Sequence, residues 1–168
     1  MYVCMYGKRG QGLLYKKTGD YTKLETYSDA DWAADRSDCK CIYTGENLIT
    51  WFSRKQTCTA LSTAEAEYVA GEHAVSELMG VISHFLNDRI VSARLIIDNQ
   101  STIKIINNQK NTRASKHIAI KYHYVKDLIH KKIVSISYIR TNENTADIFT
   151  KSLPISKHAY FCNKLNLI

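Results

Sequence analysis

Tyr27-Ser28-Asp29-Ala30-Asp31-Trp32 closes a stretch beginning at Leu24 that reads as an extended, half-buried strand, yet carries acids where apolar packing is expected. An unpaired charge inside a packed element costs several kcal/mol, so these acids need a reason. Asp29 and Asp31 alternate onto one strand face, with Asp31 the reserve candidate. Three other segments carry a carboxylate in a comparable place: Glu67 in a helix, Asp98 at a strand end and Asp147 at a helix start. The four acids are expected to converge on divalent metal.

On the amino-terminal side, residues 7–12 are Gly-rich and basic but lack the Lys-Ser/Thr of a phosphate-cradling loop. Residues 1–12 read as a flexible basic lead-in. Leu13-Leu14-Tyr15 reads as a first short strand, and turn residues Thr18-Gly19-Asp20 join it to the strand carrying Asp29 as an antiparallel pair. On the other side, residues 35–40 look loop-like, and Ile42-Tyr43 and Leu48-Ile49-Thr50-Trp51-Phe52 flank a turn, a hairpin signal.

Ser62-Thr63-Ala64-Glu65 has the order of a capping box before an apolar-periodic run, which predicts a helix from Thr63 to about Leu86. Glu67, Ala70, Ala74, Leu78 and Val81 or Ile82 share its buried face. A carboxylate there must be protonated, paired or metal-bound, unless it reaches solvent from the first turn, where the helix dipole welcomes an anion. Arg94 to Asp98 is an apolar strand ending in an acid, at the kind of carboxyl end where α/β ligand sites collect; Asp98 could equally be a helix N-cap. Lys116 to Lys132 reads as a basic amphipathic helix, with Ile118, Tyr122, Val125 and Ile129 inward. Its charges are either a solvated face or phosphate contacts. Residues 133–139 form a strand, Asp147 opens a short helix that Pro154 ends, and residues 156–165 form a peripheral helix. Asp147 could simply satisfy the dipole of its helix.

The 168 residues, 45% apolar, allow one domain with a real core, and the formal charge of +7 favours a polyanionic partner, nucleic acid before an acidic membrane surface. No apolar run approaches a membrane span, and residues 1–17 lack a signal peptide's apolar segment. Cys4, Cys39, Cys41, Cys58 and Cys162 form no zinc set and fit reduced, packed thiols. Hairpin strands followed by βα crossovers argue for an α/β domain, a mixed sheet with helices on its faces. Oxygen ligands without Cys or His in ligand spacing suit Mg²⁺ or Mn²⁺, and with the basic charge the natural substrate is a phosphodiester.

Several motifs then resemble one family, in order: Tyr27-Ser28-Asp29-Ala30-Asp31-Trp32-Ala33, Trp51-Phe52-Ser53-Arg54-Lys55-Gln56, Leu61-Ser62-Thr63-Ala64-Glu65-Ala66-Glu67-Tyr68, Asp98-Asn99-Gln100-Ser101, Lys116-His117-Ile118, Tyr122-His123 and Ala146-Asp147-Ile148-Phe149-Thr150-Lys151-Ser152-Leu153-Pro154. They resemble the ribonuclease H domain of copia-type LTR-retrotransposon Pol polyproteins over residues 13–167. The resemblance implies a ribonuclease H-like domain at 13–155, with a mixed five-stranded sheet flanked by helices, and a peripheral helix at 156–168. It implies an endonuclease whose Asp29, Glu67, Asp98 and Asp147 hold two Mg²⁺ ions, Mn²⁺ being an alternative, and cut the RNA strand of an RNA/DNA hybrid. Arg54, Lys55, Asn99, Gln100, Lys116, His117 and Lys121 are the candidates for holding the hybrid, strand choice resting on ribose 2′-hydroxyls.

Three departures from the family pattern matter. The region between Asp38 and Gly45 is shorter than the family's second strand, which is therefore expected to be truncated. The loop before Asp147 has no His, which bears on turnover rather than on metal binding. No polymerase precedes Met1, so a truncated or separately expressed copy is expected, with the reverse transcriptase domain in the parent polyprotein. The implied location is cytoplasmic, in a virus-like particle for an intact element, or nuclear. The competing reading is a catalytically inactive, truncated or domesticated nucleic-acid-binding remnant. A transposase or integrase nuclease would need its helix acid after both strand acids, and here Glu67 falls between Asp29 and Asp98.

Overall fold

Side chains of successive strand residues leave a sheet on opposite faces, and this alternation builds two cores in the computed structural model, which describes residues 12–17, 22–31, 37–45, 47–56, 60, 62–85, 92–107 and 119–167. The elements in order are β1 (Lys23–Asp31), β2 (Ser37–Thr44), β3 (Asn47–Lys55), α1 (Thr63–Phe85), β4 (Ser92–Ile97), α2 (Gln100–Asn107), α3 (Ala119–His130), β5 (Val134–Tyr138), a 3₁₀ turn (Thr141–Glu143), α4 (Asp147–Thr150) and α5 (Ile155–Lys164). The five strands form one sheet in the order β3-β2-β1-β4-β5. β1 pairs antiparallel with β2 and parallel with β4, β2 antiparallel with β3, and β4 parallel with β5. The mixed α/β sheet expected from the sequence is therefore present.

Leu24, Ile42, Leu95, Ile97 and Val134 pack against Tyr68, Val69, Val75 and Leu78 of α1 and against Ile106, Val125 and Leu128. The neighbours of Ile42 point the other way: Cys41 and Tyr43 join Leu48, Ile148, Phe161, Cys162 and Leu165 in a second cluster under α4 and α5. The carboxy-terminal helix thus places its inner face in a core.

Three expectations are corrected. Leu13-Leu14-Tyr15 is not a strand of the sheet: Leu13 makes an isolated antiparallel bridge to Leu167, and the Leu14 amide donates to the Asn166 carbonyl at 2.9 Å. Ser37 to Lys40 is strand rather than loop, because both neighbouring strands satisfy its backbone whatever the polarity of its side chains. For the same reason β2 is not truncated; its 8 residues pair along their whole length with β1. The predicted helix over 116–132 is described from Ala119 to His130. It closes with Lys132 at φ 57°, where the Ile133 amide donates to the Leu128 carbonyl and the Lys132 amide to that of Ile129, a left-handed cap held by a non-glycine residue.

Candidate metal centre

Strand register brings the first two acids level. Tyr27 pairs with Ile96 across the parallel β1–β4 ladder, so two residues further on the chains reach Asp29 and Asp98 together. Glu67 arrives from the first turns of α1, which are pinned from two sides. The Gln56 Nε2 donates to the Ala66 carbonyl at 2.8 Å, and the Thr102 Oγ1 of α2 donates to that of Ala64 at 3.0 Å. The helix start carries the expected cap, with Ser62 Oγ accepting from the Glu65 amide at 3.2 Å. One oxygen from each of Asp29, Glu67 and Asp98 then lies within 4.8 Å of the others.

The bland alternatives for two of these acids fail on geometry. Glu67 is 7% exposed and does not reach solvent. The cap of α2 is Asn99, whose Oδ1 accepts from the Ser101 and Thr102 amides at 2.9 and 3.1 Å, so Asp98 stands half-buried at the edge of the group with its carboxylate uncommitted to that cap. Burial first, and then the charges of Asp29 and Asp98, push the Glu67 carboxyl up from the ordinary 4.5 to about 9, against a hydrogen bond from the Ala30 backbone. Its Oε2 has no hydrogen-bond partner among the described residues. Burial likewise raises Asp29, 1% exposed, while Lys151 and Thr150 pull it back.

These residues fit a divalent cation: three clustered oxygen donors, with a buried carboxylate oxygen lacking any partner, are what a hard cation needs. The carboxylate set could hold such an ion.

Asp147 is fully buried and stands outside the three-acid group. Its Oδ1 accepts from Lys151 Nζ at 2.7 Å and its Oδ2 from Lys157 Nζ at 3.2 Å. Lys151 Nζ also donates to Asp29 Oδ1 at 3.1 Å, and Thr150 Oγ1 donates to Asp29 Oδ2. Asp147 therefore adjoins the centre through a shared ammonium. Burial alone would lower the Lys151 pKa, but the carboxylates of Asp29 and Asp147 hold it above the ordinary lysine value. The loop before Asp147 is anchored by Asn144, whose Nδ2 donates to the Ser28 carbonyl at 3.0 Å and whose Oδ1 accepts from the Ala146 amide at 3.2 Å. Asn144 and Lys157 carry no local signal in the sequence; Thr150 and Lys151 lie in the motif from Ala146 to Pro154, and Lys151 follows Asp147 by four residues, a helical ion-pair spacing.

Among the candidates for nucleic-acid contact, Lys55 is exposed at the end of β3 and Gln100 is exposed at the start of α2, while Asn99 is engaged in the cap. Arg54 lies in β3, Lys121 in α3 and Asp31 at the end of β1, their side chains outside the described residues; Lys116 and His117 lie outside them entirely. Glu25, Tyr27, Tyr43, Thr145 and Lys164 line a hollow of about 380 Å³ that none of the four acids borders.

No protein-family model matches the chain. It is 33% identical over 142 residues, 80% of its length, to the retrovirus-related Pol polyprotein from transposon TNT 1-94 of Nicotiana tabacum. It is 30% identical over 169 residues, 96% of its length, to that from transposon RE1 of Arabidopsis thaliana, and 32% identical over 175 aligned positions to the Ty1-DR5 Gag-Pol polyprotein of Saccharomyces cerevisiae. The chain spans 10 to 12% of the length of these relatives. Among solved structures it is similar to the N-terminal RNase H domain of a Mycobacterium tuberculosis protein, with a TM-score of 0.55 and 10% identity over 84% of this chain and 96% of that one. It is also similar to RNase H1 from Halobacterium salinarum, with a TM-score of 0.56 and 16% identity over 74% and 90%. The chain has the ribonuclease H fold and is homologous to retrotransposon Pol polyproteins. Within this ribonuclease H fold, Asp29, Glu67 and Asp98 meet at the carboxyl ends of β1 and β4, where the crossing between the antiparallel and parallel halves of the sheet falls. No helix among the described residues is long and apolar enough to cross a membrane.

Proposed function

We propose that this domain is a divalent-metal-dependent endoribonuclease that hydrolyses the RNA strand of RNA/DNA hybrids, with Mg²⁺ as its ion and Mn²⁺ as a substitute. The observation that carries the reading is the meeting of Asp29, Glu67 and Asp98 with a partnerless Glu67 Oε2 among them. The ribonuclease H fold and the homology to Pol polyproteins support it, and so does the charge of +7, which suits a phosphate backbone.

Asp29 and Glu67 are the buried ligands and Asp98 the half-exposed one, the most open of the three to a substrate phosphate. A divalent ion so held supplies Lewis acidity, easing attack of water on the scissile phosphodiester and offsetting charge on the leaving oxygen. Thr150 and Lys151 orient the Asp29 carboxylate by donating to its two oxygens. Asp147 acts on the same centre by fixing Lys151. Lys55 and Gln100, both exposed, with Arg54, Asn99, Lys116, His117 and Lys121, form the proposed contact surface for the hybrid.

The test is cleavage of an RNA/DNA hybrid labelled on its RNA strand, in Mg²⁺ and in EDTA, by wild type and Asp98→Asn. The reading requires cutting of the RNA strand alone, lost in EDTA and reduced by about 100-fold or more in the variant. Hybrid binding with no Mg²⁺-dependent cutting would instead favour an inactive nucleic-acid-binding remnant.

A further inference from the structure

Lys151 is the one residue whose cationic group touches both a member of the three-acid group and Asp147 among the described residues. Its contacts at 3.1 and 2.7 Å set the ammonium between Asp29 and Asp147. Lys157 takes the remaining oxygen of Asp147, whose side chain is 0% exposed. Both oxygens of Asp147 thus accept from a lysine, and an ion arriving at either must compete with an ammonium.

We propose that Lys151 is a resident cation of the centre: it takes the place of a second divalent ion between Asp29 and Asp147, so the substrate-free protein binds one ion, on Asp29, Glu67 and Asp98. This rests on the metal-dependent reading above and specifies how that centre is loaded. Lys151 is a positioning residue; its side chain is 35% exposed, so the ammonium can swing into solvent without repacking the core when a phosphate or a second ion arrives. An ammonium and a divalent ion compete for the same oxygens, and the ammonium, being covalently tethered, is present at high effective concentration.

The experiment is calorimetric titration of the full chain with Mn²⁺ in the absence of nucleic acid, for wild type, Lys151→Met, Lys151→Arg and Asp98→Asn. Wild type is expected to take up one ion, with any second at least about 100-fold weaker, a measurement that needs no variant. Lys151→Met is expected to tighten the second site by about tenfold or more, whereas Lys151→Arg keeps the wild-type pattern. A lysine that merely held the fold together would not change the number of ions bound in this way. Two ions of similar affinity in wild type, or identical isotherms for wild type and Lys151→Met, overturn the role of Lys151 while leaving the metal centre standing. Absence of any Mn²⁺ uptake by wild type, matching Asp98→Asn, overturns the metal centre and the resident-cation proposal together.

Discussion

The Asn144 side chain, fully buried, donates to the Ser28 carbonyl at 3.0 Å and thereby fastens the loop before Asp147 to the strand residue next to Asp29. The bond spans 116 residues of sequence and joins the two parts of the chain that Lys151 also joins. Asn144→Ala removes both of its bonds and leaves the Ala146 amide, a buried donor, without its partner. The expected cost is about 1–3 kcal/mol, read by urea denaturation, together with weaker metal-dependent cleavage. A variant as stable as wild type would show that the loop is held by other contacts.

Glu67 sets a pH dependence whose direction is fixed by its environment. Its folded pKa of about 9 exceeds the ordinary 4.5, so the unfolded chain releases this proton first as pH rises. The metal-free protein therefore loses stability between roughly pH 4.5 and pH 9, by at most about 1.4 kcal/mol per pH unit from this group, and regains it as pH falls. Glu67→Gln is expected to flatten the profile in EDTA and to stabilise the metal-free protein near pH 8, while abolishing the gain in melting temperature on adding Mg²⁺. Denaturation curves across this range, with and without Mg²⁺, decide it.

Phe161 is 0% exposed in the cluster that also holds Cys41, Tyr43 and Leu48, residues of β2 and β3. Phe161→Ala should destabilise the protein by about 3–5 kcal/mol, since a large ring leaves a cavity in a packed core. A peripheral helix would tolerate the change, so a loss below about 1 kcal/mol in urea denaturation would detach α5 from the core.

Lys132 adopts φ 57° at the end of α3, a conformation that costs a side chain more than it costs glycine. Lys132→Gly is expected to stabilise the fold by about 0.5–1 kcal/mol, because relief of the left-handed strain outweighs the added freedom of the unfolded chain. The midpoint of chemical denaturation, compared with that of exposed Lys131→Gly as a control, tests this.

What the sequence discloses depends on whether the responsible interactions are local. The cap at Ser62, the apolar face of α1 and the acid following β4 were legible because each is written within a few neighbouring residues. Ser37 to Lys40 was not, since a polar run becomes a strand only when β1 and β3 flank it; Lys40 then sends its ammonium to the His73 carbonyl at 2.9 Å. The bridge from Leu13 to Leu167 unites the two ends of the described fold and leaves no local trace. At the centre, four acids were expected to meet; Asp29, Glu67 and Asp98 come together, while Asp147 stands apart behind lysines whose placement follows from packing. Nothing near Asp29 in the sequence announces that Lys151 and Thr150 will donate to it.

The separation of 122 positions between Asp29 and Lys151 also sets an order of events during translation. β1 leaves the ribosome before its parallel neighbour and well before the ammonium that balances its acid. A nascent chain stopped before Thr150 must either keep Asp29 in water or bury it without its cation, so the middle of the sheet should stay open to protease until α4 has emerged. Stalled chains released at about residue 140 and at residue 168 should differ sharply in digestion, and equal resistance would refute this late closure.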